Sequence, residues 1–353
     1  MKIAVLTSGG VDSSVALRLL ADEGRHELTA WYLKVWLEDE VAHLGNCPWE
    51  EDLTYVRALC DQVGVPLRIA SLQAEYLEQI VSYSLAELRA GRTPSPDVFC
   101  NRRIKFGAFL QSAPECDRVA TGHYARLTES DGRTRMLRAP DPVKDQTYFL
   151  SHLRQDQVAR ALFPIGHLPK ASVRELAHEY DLPTKDRKDS QGICFLGKIL
   201  YRDFIDFHLG ANPGEIVEAG SGRVLGEHQG YWFYTIGQRF GLGLGGGPWY
   251  VVDKDVEANR LVVTHAEQRQ ERARATFEVA DLNWIAAPPR TSDLQVKLRH
   301  GPEMGSCRIA PATSRPDEEA LQVQLDTPDA GVAPGQHAVF YDGEECLGGG
   351  IIT

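Results

Sequence analysis

KIAVLTSGGVDSSVALRLL, residues 2–20, decides the fold of the first half of this chain. The run from Lys2 to Thr7 is apolar and β-branched enough for a buried strand, and apolar residues from Val11 to Leu20 recur at helical spacing. Between them stand Ser8-Gly9-Gly10. Two glycines let the backbone turn with its N–H groups converging, and Ser8, Ser13 and Ser14 add hydroxyls at the positive end of the helix. Such a turn cradles a phosphate chain. It holds no lysine, which separates it from the Walker loop, whose lysine reaches the outer phosphates. Asp12 stands where a carboxylate can share a magnesium ion with nucleotide phosphates.

Outward from this unit the pattern repeats. LTAWYLKVW reads as a strand, Glu50 to Val63 as a helix, VPLRIA as a strand, Ala74 to Arg89 as a helix and Asp117 to Thr121 as a strand. Strands alternating with helices predict an α/β domain with a mostly parallel sheet covered on both faces. A further helical region is expected from Gln155 to Tyr180. After about residue 200 the helical period fades, and segments such as EIVEA, WYVVDK, NRLVVTH, LQVKLRH, SCRIAP and LQVQLD alternate between glycines and prolines. These predict two small mainly-β domains, the last a β-barrel. The expected division is 1–200, 201–270 and 271–353, with the proline pair at 288–289 as a second candidate seam.

The 353 residues suffice for two or three cores, and 43% hydrophobic with 25% charged residues excludes a disordered or fibrous chain. No apolar run reaches membrane-spanning length, and the opening residues are too short an apolar stretch for a signal peptide, so the cytoplasm is the expected compartment. A net charge of −11 confines any nucleic-acid binding to local patches. Two candidates are Arg102, Arg103 and Lys105, near Cys100, and Lys185, Arg187 and Lys188, near Cys194. The seven cysteines form no C-x-x-C pair, which speaks against a zinc ribbon or iron–sulfur cluster. Cys60 and Cys116 read as buried structural thiols, and Cys47, four residues after His43, has too few companions for a metal site. Cys100 and Cys194 differ, since each sits in a polar loop context with cationic neighbours that favour thiolate. Two further glycine strings are rejected. Residues 192–198 lack the Ser or Thr that a Walker loop needs after its lysine, and 241–246 lack the strand and helix of a dinucleotide site.

SGGVDSS at 8–14, GRTPSPDVFCNRRIKFG at 91–107, ATGHYAR at 120–126, KDQTYFL at 144–150, KDSQGICFLG at 188–197, TIGQRFGLG at 235–243 and PGQHAVFYDGEECLGGGII at 334–352 occur in one order. Together they resemble the bacterial tRNA-uridine 2-sulfurtransferases, a branch of the ATP-pyrophosphatase superfamily, almost end to end. The resemblance implies a PP-loop domain of the adenine nucleotide α-hydrolase type that binds ATP with Mg2+, and as partners a tRNA bearing a wobble uridine and a persulfide donor protein, either a cysteine desulfurase or a relay carrier. It implies a nucleotide site of Leu6, Thr7, Ser8, Gly9, Gly10, Val11, Asp12, Ser13, Leu33 and Gly122. It assigns catalysis to Cys100, Cys194 and Asp97, with a transient disulfide between the two cysteines. It places Ser95, Pro96, Asp97, His123, Lys144, Asp145, Gln146, Arg299, His300 and Gln336 at the RNA. Ser95 departs from the asparagine usual in the family. The implied chemistry is coherent, because the urea-like C2 carbonyl of uracil does not lose its oxygen until that oxygen is esterified, and adenylation makes it a good leaving group. Two other readings stay open at this stage: an ATP-pyrophosphatase that adenylates a small molecule, and a tRNA-binding or sulfur-carrier protein without catalysis.

Overall fold

The computed structural model describes residues 1–35, 49–188, 200–314 and 319–353. Strands β1 (Lys2–Leu6), β2 (Glu27–Lys34), β3 (Leu67–Ser71) and β4 (Arg118–Ala120) form a parallel sheet in which β1 is central. A hairpin of β5 (Ala125–Ser130) and β6 (Arg133–Arg138) leaves this domain, and β7 (Ala161–Leu162) returns to complete the order β3-β2-β1-β4-β7. Alternation within β1 explains why both faces are covered. Ala4 and Leu6 enter one core with Phe99, Ile104 and Phe109, whereas Ile3 and Val5 enter the other with Val15, Leu17 and Leu59. The strand order reverses between β1 and β4, so the crevice at their carboxyl ends is the place where an open α/β sheet binds ligands.

The helices follow the sequence with two differences. The helix expected over 74–89 is continuous, but it contains a π segment at Leu77–Val81 between α segments Gln73–Tyr76 and Ser82–Arg89. The long helix expected over 155–180 is broken. Short helix Gln155–Val158 is followed by β7, and a helix resumes only at Lys170–Glu179, because Pro164, Gly166 and Pro169 intervene. Gly166 is also a contact point, since a Cβ there would lie 1.7 Å from the Ala125 carbonyl oxygen.

The second half holds two β units. β8 (Gly214–Glu218), β9 (Val224–His228), β10 (Trp249–Asp255) and β11 (Arg260–His265) make a four-stranded sheet around Ile216, Tyr234, Val251 and Leu261. β12 (Arg274–Trp284), β13 (Asp293–Lys297), β14 (Gly305–Pro311), β15 (Leu321–Asp329), β16 (His337–Asp342) and β17 (Glu345–Ile352) then close into a barrel through pairing of β12 with β17. Pro288 and Pro289 are therefore no seam; they lie inside the barrel, between β12 and β13. The break between the β units runs instead through two short 3-10 turns, Ala266–Gln268 and Gln270–Arg272. The barrel is also extended from outside, because β6 pairs with β17, Met136 opposite Cys346.

A buried ion pair locks this joint. Asp145 and Lys297 have fully buried side chains with Nζ to Oδ2 at 2.9 Å, and Arg138 lies 3.6 Å from the same carboxylate. Asp145 also accepts from the Ala139 amide and the Thr147 hydroxyl, and Thr147 in turn meets the Tyr341 hydroxyl at 3.2 Å. Removing Lys297 leaves the buried carboxylate with only the longer contact to Arg138. Lys297→Met is expected to cost about 3–5 kcal/mol in denaturant unfolding. The double variant Lys297→Met, Asp145→Leu is expected to recover part of that loss.

Candidate active site

The phosphate cradle is built by helix α1 (Val11–Glu23) and the turn before it. Gly9 has φ of +72°, which only glycine adopts freely, and Gly10 occupies the helix cap without a side chain. The Ser13 hydroxyl accepts from the Ser8 amide at 3.3 Å and donates to the Gly10 carbonyl at 3.1 Å, while Ser14 donates to the same carbonyl at 2.9 Å. These bonds hold the turn open and the first amides of α1 aimed outward. Val11 anchors the helix start in the core, and Thr7 ties the turn to β2 by donating its amide to the Trp31 carbonyl. Leu6 and Leu33, at the carboxyl ends of neighbouring strands, pack into one apolar cluster beside it.

Sequence reading finds no lysine in the loop, but the fold brings one to it. Lys170, 158 residues away, bonds Asp12 Oδ1 at 2.7 Å, and the Tyr124 hydroxyl donates to the same oxygen at 2.7 Å. Arg187 donates to the Gly9 carbonyl at 2.6 Å and to Asp52 at 2.7 Å. Two cations therefore face the cradle from the helix Lys170–Glu179 and the segment after it. The only sequence signal for Arg187 was its basic cluster, and Lys170 had none.

Cys100 lies one turn beyond Asp97, where the short helix Pro96–Phe99 passes into a π-helix, Cys100–Ala108. A π register widens each turn by one residue and is common at functional sites. It is held by Gln157, whose side-chain amide donates to the carbonyls of Arg102 and Phe106 at 2.7 and 2.8 Å. Cys100 is 6% exposed. Burial pushes the Asp97 carboxyl up, with the charge of Lys105 pulling against it. His123 is held well below the usual histidine range, first by desolvation and then by the same Lys105. It is thus a neutral imidazole at neutral pH, bonded through Nδ1 to the Thr121 hydroxyl at 2.7 Å. The expected basic patch divides here. Arg102 contacts buried His152 at 3.3 Å, and Arg103 packs its guanidinium 4.1 Å from the Phe99 ring and donates to the Gln79 carbonyl, so both turn inward, while the charge of Lys105 is felt by Asp97 and His123. Cys194 and residues 192–198 lie outside the described residues, as does Cys47. Cys60, Cys307 and Cys346 are buried, with thiols pushed up to about 11, 12 and 12 by desolvation, as befits structural residues.

The loop Thr121–Tyr124, directly after β4, joins the two halves of the site. A Cβ on Gly122 would sit 2.6 Å from the Ser13 amide nitrogen and 2.8 Å from the Asp12 carbonyl carbon. The next residue, His123, feels the charge of Lys105 on the cysteine helix. Three family models cover the chain: the tRNA methyl transferase HUP domain over residues 1–198, the tRNA methyl transferase PRC-barrel domain over 202–265, and the aminomethyltransferase beta-barrel domain over 274–352. A relative from Parabacteroides distasonis, tRNA-specific 2-thiouridylase MnmA, is 43% identical over 100% of this chain and 99% of its own length. One of the same name from Shewanella baltica is 45% identical over 99% and 95%. The chain belongs to the tRNA-specific 2-thiouridylase family. Among solved structures, the U34-tRNA thiolase NcsA from Methanococcus maripaludis aligns at 18% identity and TM-score 0.36 over 58% of this chain and 64% of that one, too slight a likeness to argue from.

Against the family's expected RNA-contact set, the structure separates the residues. Ser95 and Pro96 end a loop clamped by both small domains: Tyr231 donates to the Arg89 carbonyl at 2.7 Å, and the Thr93 amide donates to the Pro334 carbonyl at 2.8 Å. Gln336 follows that contact in the same barrel turn, and its carbonyl accepts from the Ile352 amide. His300 stacks on Phe149 with centroids 4.7 Å apart, and the Phe149 carbonyl accepts from Asn101, next to Cys100. Arg299 pairs with Asp329 at the barrel surface. Lys144 and Gln146 are partly exposed, and Gln146 accepts from the Tyr124 amide at 3.0 Å. Asp145 is the exception. It is fully buried in the ion pair with Lys297 and reaches no external strand, so its place in the KDQ run reflects the joint to the barrel. Gly122→Ala is expected to weaken ATP binding by about tenfold or more in calorimetric titration, because the added methyl pushes Ser13 and Asp12 out of line.

Proposed function

We propose that the chain thiolates C2 of a tRNA wobble uridine at the expense of ATP. One observation carries this reading: the loop that packs Gly122 against the phosphate cradle also carries His123, which feels the charge of Lys105 on the helix that begins at Cys100, so a base held at the loop lies between nucleotide and cysteine helix. ATP lies along the Ser8–Ser14 cradle, with Lys170 and Arg187 beside its phosphates. Uridine O2 attacks the α-phosphorus, the bond to pyrophosphate breaks, and Asp97, whose affinity for a proton is raised by burial, takes the N3 proton. A persulfide sulfur on Cys194 then attacks C2 and the C2–O bond breaks, expelling AMP. The Cys100 thiolate attacks the Cys194 sulfur, leaving the outer sulfur on the base, to which Asp97 returns the N3 proton, and a Cys100–Cys194 disulfide, which an external thiol reduces. Release of hydrosulfide by Cys100 before the attack on C2 gives the same products.

Magnesium fits this site only in part. Asp12 Oδ1 is already shared by Tyr124 and Lys170, which leaves the other carboxylate oxygen, together with nucleotide phosphates, to hold an ion. Bound there, the ion would neutralise the pyrophosphate leaving group. The persulfide comes from a separate donor protein, and a mechanism that needs free thiols suits the reducing cytoplasm.

The test is pyrophosphate release. It is expected to require both ATP and tRNA and to survive in Cys100→Ser, since adenylation precedes sulfur transfer. Release that ignores tRNA but responds to a small-molecule acceptor would instead favour a synthetase.

A further inference from the structure

On the central β unit, the loop between the 3-10 turn Tyr231–Phe233 and β10 presents an aromatic ring that the fold does not use. Phe240 is 79% exposed, more than any other large hydrophobic side chain among the described residues. Its neighbour Arg239 is also exposed and lays its guanidinium over the ring, 5.4 Å from the centroid. Exposed single hydrophobics are common and need no explanation. What distinguishes this one is how firmly its backbone is held. Gln238 donates its side-chain amide to the Phe240 carbonyl at 2.8 Å and accepts from the Thr235 amide at 3.0 Å. Its backbone and that of Gly237 are bonded to Val251 of β10 on both sides, and Leu242 just beyond is buried in the core. A ring so positioned keeps its open face toward solvent.

The loop also adjoins the site. Thr235 meets Thr93, in the segment leading to Ser95 and Asp97, at 3.5 Å between hydroxyls. Gly237, at φ +88°, packs against Gly331 of the barrel, and a Cβ on Gly331 would lie 2.6 Å from the Arg299 guanidinium. Arg239 and Phe240 therefore extend from a turn that touches both the segment leading to Asp97 and the barrel beside Arg299.

We infer that Phe240 and Arg239 form a second tRNA contact, in which an unpaired base stacks on the open face of Phe240 and Arg239 pairs with a backbone phosphate. An aromatic ring backed by a guanidinium is the stacking platform that single-stranded and loop nucleotides take, and it needs no base identity. The exposed cation beside the ring offers a partner to a phosphate, which favours RNA as the occupant. This rests on tRNA being the substrate. The contact lies outside the reacting atoms, so it sets affinity and leaves the chemical step alone.

The experiment measures tRNA binding by full-length protein, by filter retention across a salt series, with Phe240→Ala, Phe240→Trp and Arg239→Ala. Phe240→Ala is expected to weaken binding about tenfold, with Phe240→Trp near wild type. Arg239→Ala is expected to reduce the salt slope by about one. Melting temperature and pyrophosphate release at saturating tRNA are expected to be unchanged. Wild-type binding of tRNA with equal binding by Phe240→Ala overturns the contact while leaving the proposed function intact. Failure of wild type to bind tRNA overturns both. A Phe240→Ala variant that binds tRNA normally but changes its sedimentation, or loses turnover only when sulfur comes from a donor protein, assigns the ring to a protein interface and overturns the RNA contact.

Discussion

The site depends on one close approach: the backbone at Gly122 against the first turn of α1. With no side chain in the way, the loop after β4 reaches within contact of the Ser13 amide and the Asp12 carbonyl carbon. The phosphate cradle and the helix that begins at Cys100 come from different parts of the chain; this loop packs on the first and carries His123, which feels the charge of Lys105 in the second. Its other residues complete the arrangement: Tyr124 steadies Asp12, and the Thr121 hydroxyl holds a neutral His123. The strand order fixes why this happens here, since β1 and β4 are neighbours that lead to opposite halves of the sheet.

The two β units are braces as well as appendages. The hairpin β5–β6 enters the barrel sheet beside β17, the Asp145–Lys297 pair sits dry at that joint, and barrel and central unit both grip residues 89–93 just ahead of Cys100. A buried polar joint of this kind adds little net stability but fixes one arrangement of the partners, because any other leaves charges unpaired. The geometry of the cysteine helix is thus set from three sides. Phe99, next to Cys100, packs edge-on against His152 of the first domain and His337 of β16, and burial followed by the charge of Arg102 brings His337 down to about 3.

Local patterns in the sequence carried the parallel sheet, the phosphate turn and the change to β structure after residue 200, because each rests on periodicity and glycine placement within a few residues. Resemblance, rather than pattern, singled out Asp97 and the RNA-contact residues. Three features escaped for one reason, that they are made by distant partners. Lys170 reads as an ordinary helix-start lysine until the fold sets it on Asp12. Asp145 sits in a polar run that looks exposed, yet Lys297 draws it inside. The π register at Cys100–Ala108 has no composition of its own, and two of its carbonyls are met by Gln157 from a distant segment. The proline pair at 288–289 misled because a barrel connection and a domain linker use the same residues.

The central claim is that ATP-driven esterification of a uridine oxygen ends in its replacement by sulfur at this loop. The most direct measurement is mass spectrometry of nucleosides from tRNA incubated with the protein, ATP and a persulfide source. The account predicts 2-thiouridine at the wobble position, absent without ATP and absent in Cys100→Ser. Thiolated uridine formed without ATP, or formed at the wild-type rate by Cys100→Ser, would contradict it.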